Sequence, residues 1–152
     1  MSDLFGPAAV GAGLHFGLDI SYKNLYKVTM TSEGSKSRIK WEGDSNKKIR
    51  TWPDEAKANI GLDLHRLENH EEPLDSEPMG KSAPGISELR DEHMGAWYRL
   101  MYGLHAGWIY VLHCFKKKTN QTSQGDLELA IARFKAAKKR DDEPFVEEEK
   151  SA

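Results

Sequence analysis

The stretch WYRLMYGLHAGWIYVLHCF, residues 97–115, decides the fold. Trp97–Leu104 and Trp108–Phe115 are rich in aromatic and β-branched residues. His105-Ala106-Gly107 between them suits a hairpin turn, so the two runs are expected to be antiparallel neighbours. Both carry apolar residues on both parities, as central strands covered on each face do. Moving toward the N-terminus, Ile86–Arg90 (ISELR) reads as a third, shorter strand. It follows EEPLDSEPMGKSAPG (71–85), a loop by its three prolines and two glycines. Toward the C-terminus, Leu127, Ile131, Phe134 and Ala137 stripe one face of a helix. Asp126 is expected to cap that helix, and its last turn is basic, which suits the helix dipole.

Further out, Ser37–Glu42 (SRIKWE) alternates polar and apolar and reads as the first strand. Asp44 or Ser45 is placed to cap a short helical turn over KKIRTW. Trp52, Ala56, Ile60, Leu64 and Leu67 recur every three or four residues, so 53–70 is expected to be an amphipathic helix. Pro53 would open it, followed by the acids Asp54 and Glu55. The expected fold class is α+β: an antiparallel or mixed sheet, with two N-terminal helices and a C-terminal helix packed on it. Residues 36–140 form that domain. Residues 1–35 are expected to be an N-terminal extension of uncertain order, with Met30 an alternative start, and 141–152 an acidic disordered tail.

The bulk properties fit one domain of 152 residues, 38% hydrophobic and 30% charged. No run approaches the ~18 apolar residues needed to span a bilayer. The first twenty residues lack a basic start and carry Asp3 and Asp19, which argues against a signal peptide. A single cysteine, Cys114, excludes an intrachain disulfide and a cysteine-rich zinc site. A cytoplasmic location, without membrane attachment, is the natural expectation. The net charge of −2 is uneven: 141–152 carries −5 and 36–140 carries +4. A mildly basic body is compatible with a polyanionic partner without demanding one.

The densest polar signal lies on the three strands and just beyond them: Arg90, Tyr98, Arg99, Tyr102, His113, Lys116, Lys117 and Lys118. Cutting RNA by transfer to the 2′-hydroxyl needs a base, an acid and cations for the charge that builds on phosphorus. Arginine meets phosphate with two parallel donors, lysine is a movable point charge, and tyrosine or histidine can stack on a base. Each residue also has a plainer structural reading. Three lysines after a strand are a common solvated strand end, and Arg90 could pair with Glu88 or Asp91. Tyr98 and Tyr102 share parity with Leu100 and suit packing, and His113 suits a half-buried position. A guanidinium in a central strand, as at Arg99, requires a carboxylate or phosphate partner. The dispersed histidines, with no HxxxH or cysteine pair, give no metal site.

Several landmarks stand together in order: WEGDS (41–45), Trp52-Pro53, GLDLHRLENHEEP (61–73), GISELR (85–90), WYRLMY (97–102), IYVLHCFKKKT (109–119) and ELA (128–130). On these the chain resembles the HigB-like, phage-derived branch of the RelE/ParE toxin superfamily, over about two-thirds of its length. The resemblance implies a small RelE-like fold and a metal-independent mRNA endoribonuclease that needs no cofactor. It acts on mRNA at the ribosome and is neutralised by a cognate antitoxin, often a helix-turn-helix protein. DNA would be met only through that antitoxin. Carried over residue by residue, it implies catalytic roles for Arg90, Arg99, His113, Lys117 and Lys118. RNA contacts are expected from Lys116, Tyr98, Tyr102 and Thr119. The alternatives are a non-catalytic gyrase inhibitor of the ParE kind and an inactive prophage-derived binding module. The chain departs from the branch at Ser123, where proline is frequent, and in its two terminal extensions.

Overall fold

The computed structural model describes residues 37–143. The expectations for the segment up to residue 36, and for the tail from residue 144, concern chain outside the described residues. β1 (Ile39–Trp41) leads to α1 (Ser45–Ile49) and α2 (Asp54–Glu68). Then follow β2 (Ser76–Pro78), a 3₁₀ turn (Gly80–Ser82), β3 (Ile86–His93), β4 (Ala96–His105), β5 (Trp108–Lys117) and α3 (Gln124–Asp142). The five strands form one sheet in the order β1-β5-β4-β3-β2. All neighbours run antiparallel except β1 beside β5, so the sheet is mixed, in the α+β class expected.

The central hairpin turns on Ala106 (φ 51°) and Gly107 (φ 81°), the two positive dihedrals that a type I′ turn requires. A second tight hairpin, through Met94 (φ 51°) and Gly95 (φ 77°), joins β3 to β4. It carries β3 three residues past Arg90. Asp91, Glu92 and His93 are too polar to read as strand alone, yet they pair with Tyr98, Trp97 and Ala96.

The sheet is covered on both faces. Tyr98, Leu100, Tyr102 and Val111 pack with Ile49, Trp52, Ala56, Ile60 and Leu64 of the α1–α2 layer. Met101, Tyr110, Leu112 and Phe115 pack with Leu127, Ala130, Phe134 and Ala137 of α3. Between Met101 and Tyr102 the register slips: Met101 pairs with His113 and Tyr102 with Val111, leaving Leu112 as the extra residue of a bulge. The bulge flips the alternation, so Leu112 and His113 both serve the α3 face. Gly103 lies under Phe134, and a Cβ there would stand 2.5 Å from the ring. Gly103→Val is therefore expected to cost roughly 1–3 kcal/mol by overpacking, read as a lowered Tm. An unchanged Tm would show that α3 yields freely.

Some local expectations are corrected. The 71–85 loop contains the edge strand β2, paired with β3 from Ser76–Leu89 to Pro78–Ser87. Three residues are too few to show a period, and proline is tolerated at a sheet edge. Pro53 stands just outside α2 as its N-cap. The cap of α3 is Ser123, whose Oγ accepts from the Asp126 amide at 3.2 Å; Asp126 lies inside the first turn. Asp141 and Asp142, read in sequence as tail, belong to α3. Asp141 accepts from Lys40 at 2.9 Å and from Tyr110 at 2.6 Å.

Candidate active site

Across β3, β4 and β5 the register sets Arg90 beside Arg99, and Arg99 beside Phe115. Trp97 stands beside Lys117 and Met101 beside His113. Directly opposed residues share a face, so Arg90, Arg99, His113 and Lys117 all lie on the side that carries α3. The first turn of α3 brings Asp126 to them. Its Oδ1 is 2.8 Å from His113 Nε2 and its Oδ2 is 2.9 Å from Lys117 Nζ. Burial alone would raise the Asp126 carboxyl, yet hydrogen bonds from Ser123, Lys117 and His113 hold it down at about 2.

His113 is 3% exposed and stacks on Phe115 with ring centroids 4.8 Å apart. Burial pushes its imidazole below the ordinary value, against the pull of Asp126. A neutral ring that donates through Nε2 to Asp126 presents Nδ1 as an acceptor, and that buried atom has no hydrogen-bond partner among the described residues. The linkage to stability has a definite sign. Because the folded value is depressed, His113 contributes stability above the ordinary value of 6.5, lost as pH falls below it. Asp126 contributes above 3.8, a gain lost as pH falls toward about 2. His113 and Asp126 thus each lower the Tm on acidification, against the raised carboxyls of Glu88, Asp63 and Asp91, and His113→Gln should remove the upper contribution. A His113→Gln protein that keeps the upper contribution assigns it to another histidine.

Arg99 is 3% exposed. Its guanidinium binds Glu88, which is fully buried, together with Asn120 and the Thr122 hydroxyl at 3.1 Å. Thr122 also donates to the second Glu88 oxygen at 2.8 Å. Arg99 and Glu88 therefore clamp the loop that runs from β5 to α3. Burial pushes the Glu88 carboxyl up, opposed by Thr122 and Arg99. Arg90 is tied to the β2 edge, through Nη2 to Asp75 at 2.8 Å and through Nη1 to Glu77, and not to Glu88 or Asp91. Lys117, like Arg90, is part-exposed, and Lys118 and Thr119 are exposed on the loop beyond Lys117.

The remaining sequence candidates lie on the opposite face. Tyr98 packs edge-on to Trp52, centroids 5.2 Å apart, and Lys116 Nζ stands 5.7 Å over the Tyr98 ring. Tyr102 is buried, with its hydroxyl 3.0 Å from Ser76 Oγ. Sequence reasoning did not single out Glu88, Asp126, Asn120 and Thr122. Two signals were present: Ser123 and Asp126 stand at capping-box spacing, and Glu88 alternates with Arg90 on one strand face. Among the described residues no three His, Cys, Asp or Glu side chains gather to hold a metal, and no helix is long and apolar enough to cross a membrane.

A mixed five-stranded sheet with two helices on one face, and a C-terminal helix closing over a cationic strand end on the other, is a small RelE-like α+β domain. The chain belongs to the phage-derived Gp49-like family (DUF891), whose profile matches residues 47–135. That is a RelE/ParE-like toxin family, and the match spans every side chain of the site from Glu88 to Asp126. No curated protein matches the chain.

Proposed function

We propose that this protein is the toxin of a toxin–antitoxin pair, of the HigB-like kind. It cuts mRNA at the ribosome and is silenced by a small cognate antitoxin. The observation that carries the reading is the meeting of Lys117, His113 and Asp126 at the N-terminal end of α3, with Lys118 and Thr119 beside them. As the 2′-hydroxyl gives up its proton and attacks the adjacent phosphorus, the P–O5′ bond breaks, the 5′-oxygen takes up a proton and a 2′,3′-cyclic phosphate is left. Negative charge builds on the phosphoryl oxygens on the way, and the lysines at this strand end are suited to neutralise it. Asp126 orients Lys117, while His113 fixes Asp126 from below. Arg99 holds the Asn120–Thr122 loop in place, and a phosphate reaches its guanidinium only in exchange for Glu88.

The test is induced expression, followed by primer extension on cellular mRNA. New 5′ ends within minutes, with growth arrest, are the expected result. Normal growth with abundant folded protein would sink the toxin reading. One observation favours a second reading: Arg90 and Arg99 are both neutralised by carboxylates of this chain. That suits a toxin or relic that acts by binding alone, such as a gyrase inhibitor on the same fold. Arrest without new 5′ ends would support it.

A further inference from the structure

We propose that a second basic pocket, on the sheet face opposite Asp126, holds a phosphate of the RNA strand. The proposal rests on the polynucleotide reading above and adds a binding site to it. The pocket encloses about 490 Å³ between α1 and the end of β5, with Lys48 and Lys116 at its rim and Trp52 and Tyr98 among its walls. None of its lining side chains is a carboxylate. Lys116 is exposed and has no ion pair among the described residues, its ammonium resting over Tyr98. Lys48 touches Asp44 loosely at 3.5 Å, with both side chains over 40% exposed, and Asp44 is also held by Arg133 at 2.9 Å. Lys47 on the same short helix, and Arg50 at its C-cap, add exposed charge. Arg90, Arg99 and Lys117, by contrast, each have a carboxylate within the chain. Lys48 and Lys116, with Lys47 and Arg50 near them, thus leave a group of cations in this corner that no carboxylate of the pocket wall neutralises.

The chemistry of the walls selects among anions. Trp52 and Tyr98 are 7% and 5% exposed, so they form walls and offer no open ring for a base to stack on. They also give a protein partner little of the apolar anchor that interface cores use. Charge without apolar surface suits a phosphodiester backbone, bound without regard to sequence. The topology connects this pocket to the candidate active site. β1 pairs with β5 only up to Val111, so among the described residues no strand lies beside the outer edge of β5 from Leu112 to Lys117. A single strand crossing that edge meets Lys48 and Lys116 on one face and Lys117 on the other, with Lys118 exposed on the loop just beyond.

The experiment measures binding of a fluorescent single-stranded RNA oligonucleotide by the full chain across a salt series. Lys48→Ala/Lys116→Ala is compared with Lys135→Ala/Lys139→Ala, which removes equal charge from exposed positions on α3. The pocket variant is expected to bind about tenfold more weakly at low salt, with a salt slope shallower by roughly 0.7 per lost phosphate contact. The α3 variant should keep the parental slope, and Lys48→Arg/Lys116→Arg should restore it. In cleavage, the pocket variant should show a raised KM and an unchanged kcat. Equal affinity and slope in the two alanine pairs overturns the proposal. So does a pocket variant that binds RNA normally but loses its hold on the antitoxin, which would make this a protein site. A parent that binds RNA through these lysines without cutting it overturns the nuclease reading and leaves the pocket standing. A parent that binds no RNA ends both.

Discussion

Arg99→Ala is expected to remove about 3–5 kcal/mol of folding stability, the usual cost of leaving one partner of a buried ion pair uncompensated. Glu88 has no exposed surface and would lose its counter-charge, while Asn120 and Thr122 would lose the donor that anchors their loop. A domain of this size holds on the order of 5–15 kcal/mol in total, so a large drop in Tm should follow. The pH dependence identifies the cause. Burial already pushes the Glu88 carboxyl up, and removing Arg99 takes away one of the groups that oppose it. A folded value raised above the unfolded one gives stability at low pH that is lost as pH rises. The deficit of Arg99→Ala should therefore shrink on acidification, and Arg99→Ala/Glu88→Gln should recover much of it. If Arg99→Ala melts like the parent but cuts RNA far more slowly, the guanidinium serves the scissile phosphate directly and the clamp account is wrong.

The second large effect is expected in catalysis. Lys117 is part-exposed, bonded to Asp126 and on the rim of the site, so Lys117→Ala should fold well. Its single-turnover cleavage should fall by roughly 10²–10³, the loss typical of removing one donor to developing negative charge. Lys117→Ala/Lys118→Ala should lose less than the product of the two single losses if the lysines act as one unit. The same preparations give the Tm. A folded Lys117→Ala protein that cuts at the parental rate would remove this residue from the mechanism, and would move attention to the pocket at Lys48 and Lys116.

The secondary structure was largely legible because it is written in local periods. Alternation and aromatic runs specify β4 and β5, and the three-to-four spacing of Ala56, Ile60 and Leu64 specifies α2. β2 was not legible, since three residues containing a proline have no period and become a strand only by pairing with β3. The candidate site was legible as a set of residue types and not as an arrangement. Counting from Tyr110 by twos puts His113 on the face of Val111; the bulge at Leu112 moves it to the side of Asp126. Tyr98 and Lys116 stand one residue from Arg99 and Lys117 and yet face the other way. The sequence by itself thus determined the α+β class, the hairpin core and a cluster of cations at the end of β5. Only the tertiary structure decided which cations are already neutralised: Arg99 by Glu88, Arg90 by Asp75 and Glu77, and Lys117 by Asp126. The reason is physical. A strand's face follows from a period of two that one extra residue inverts, and the partner of a charge is set by distances of a few ångströms between chain segments far apart in sequence.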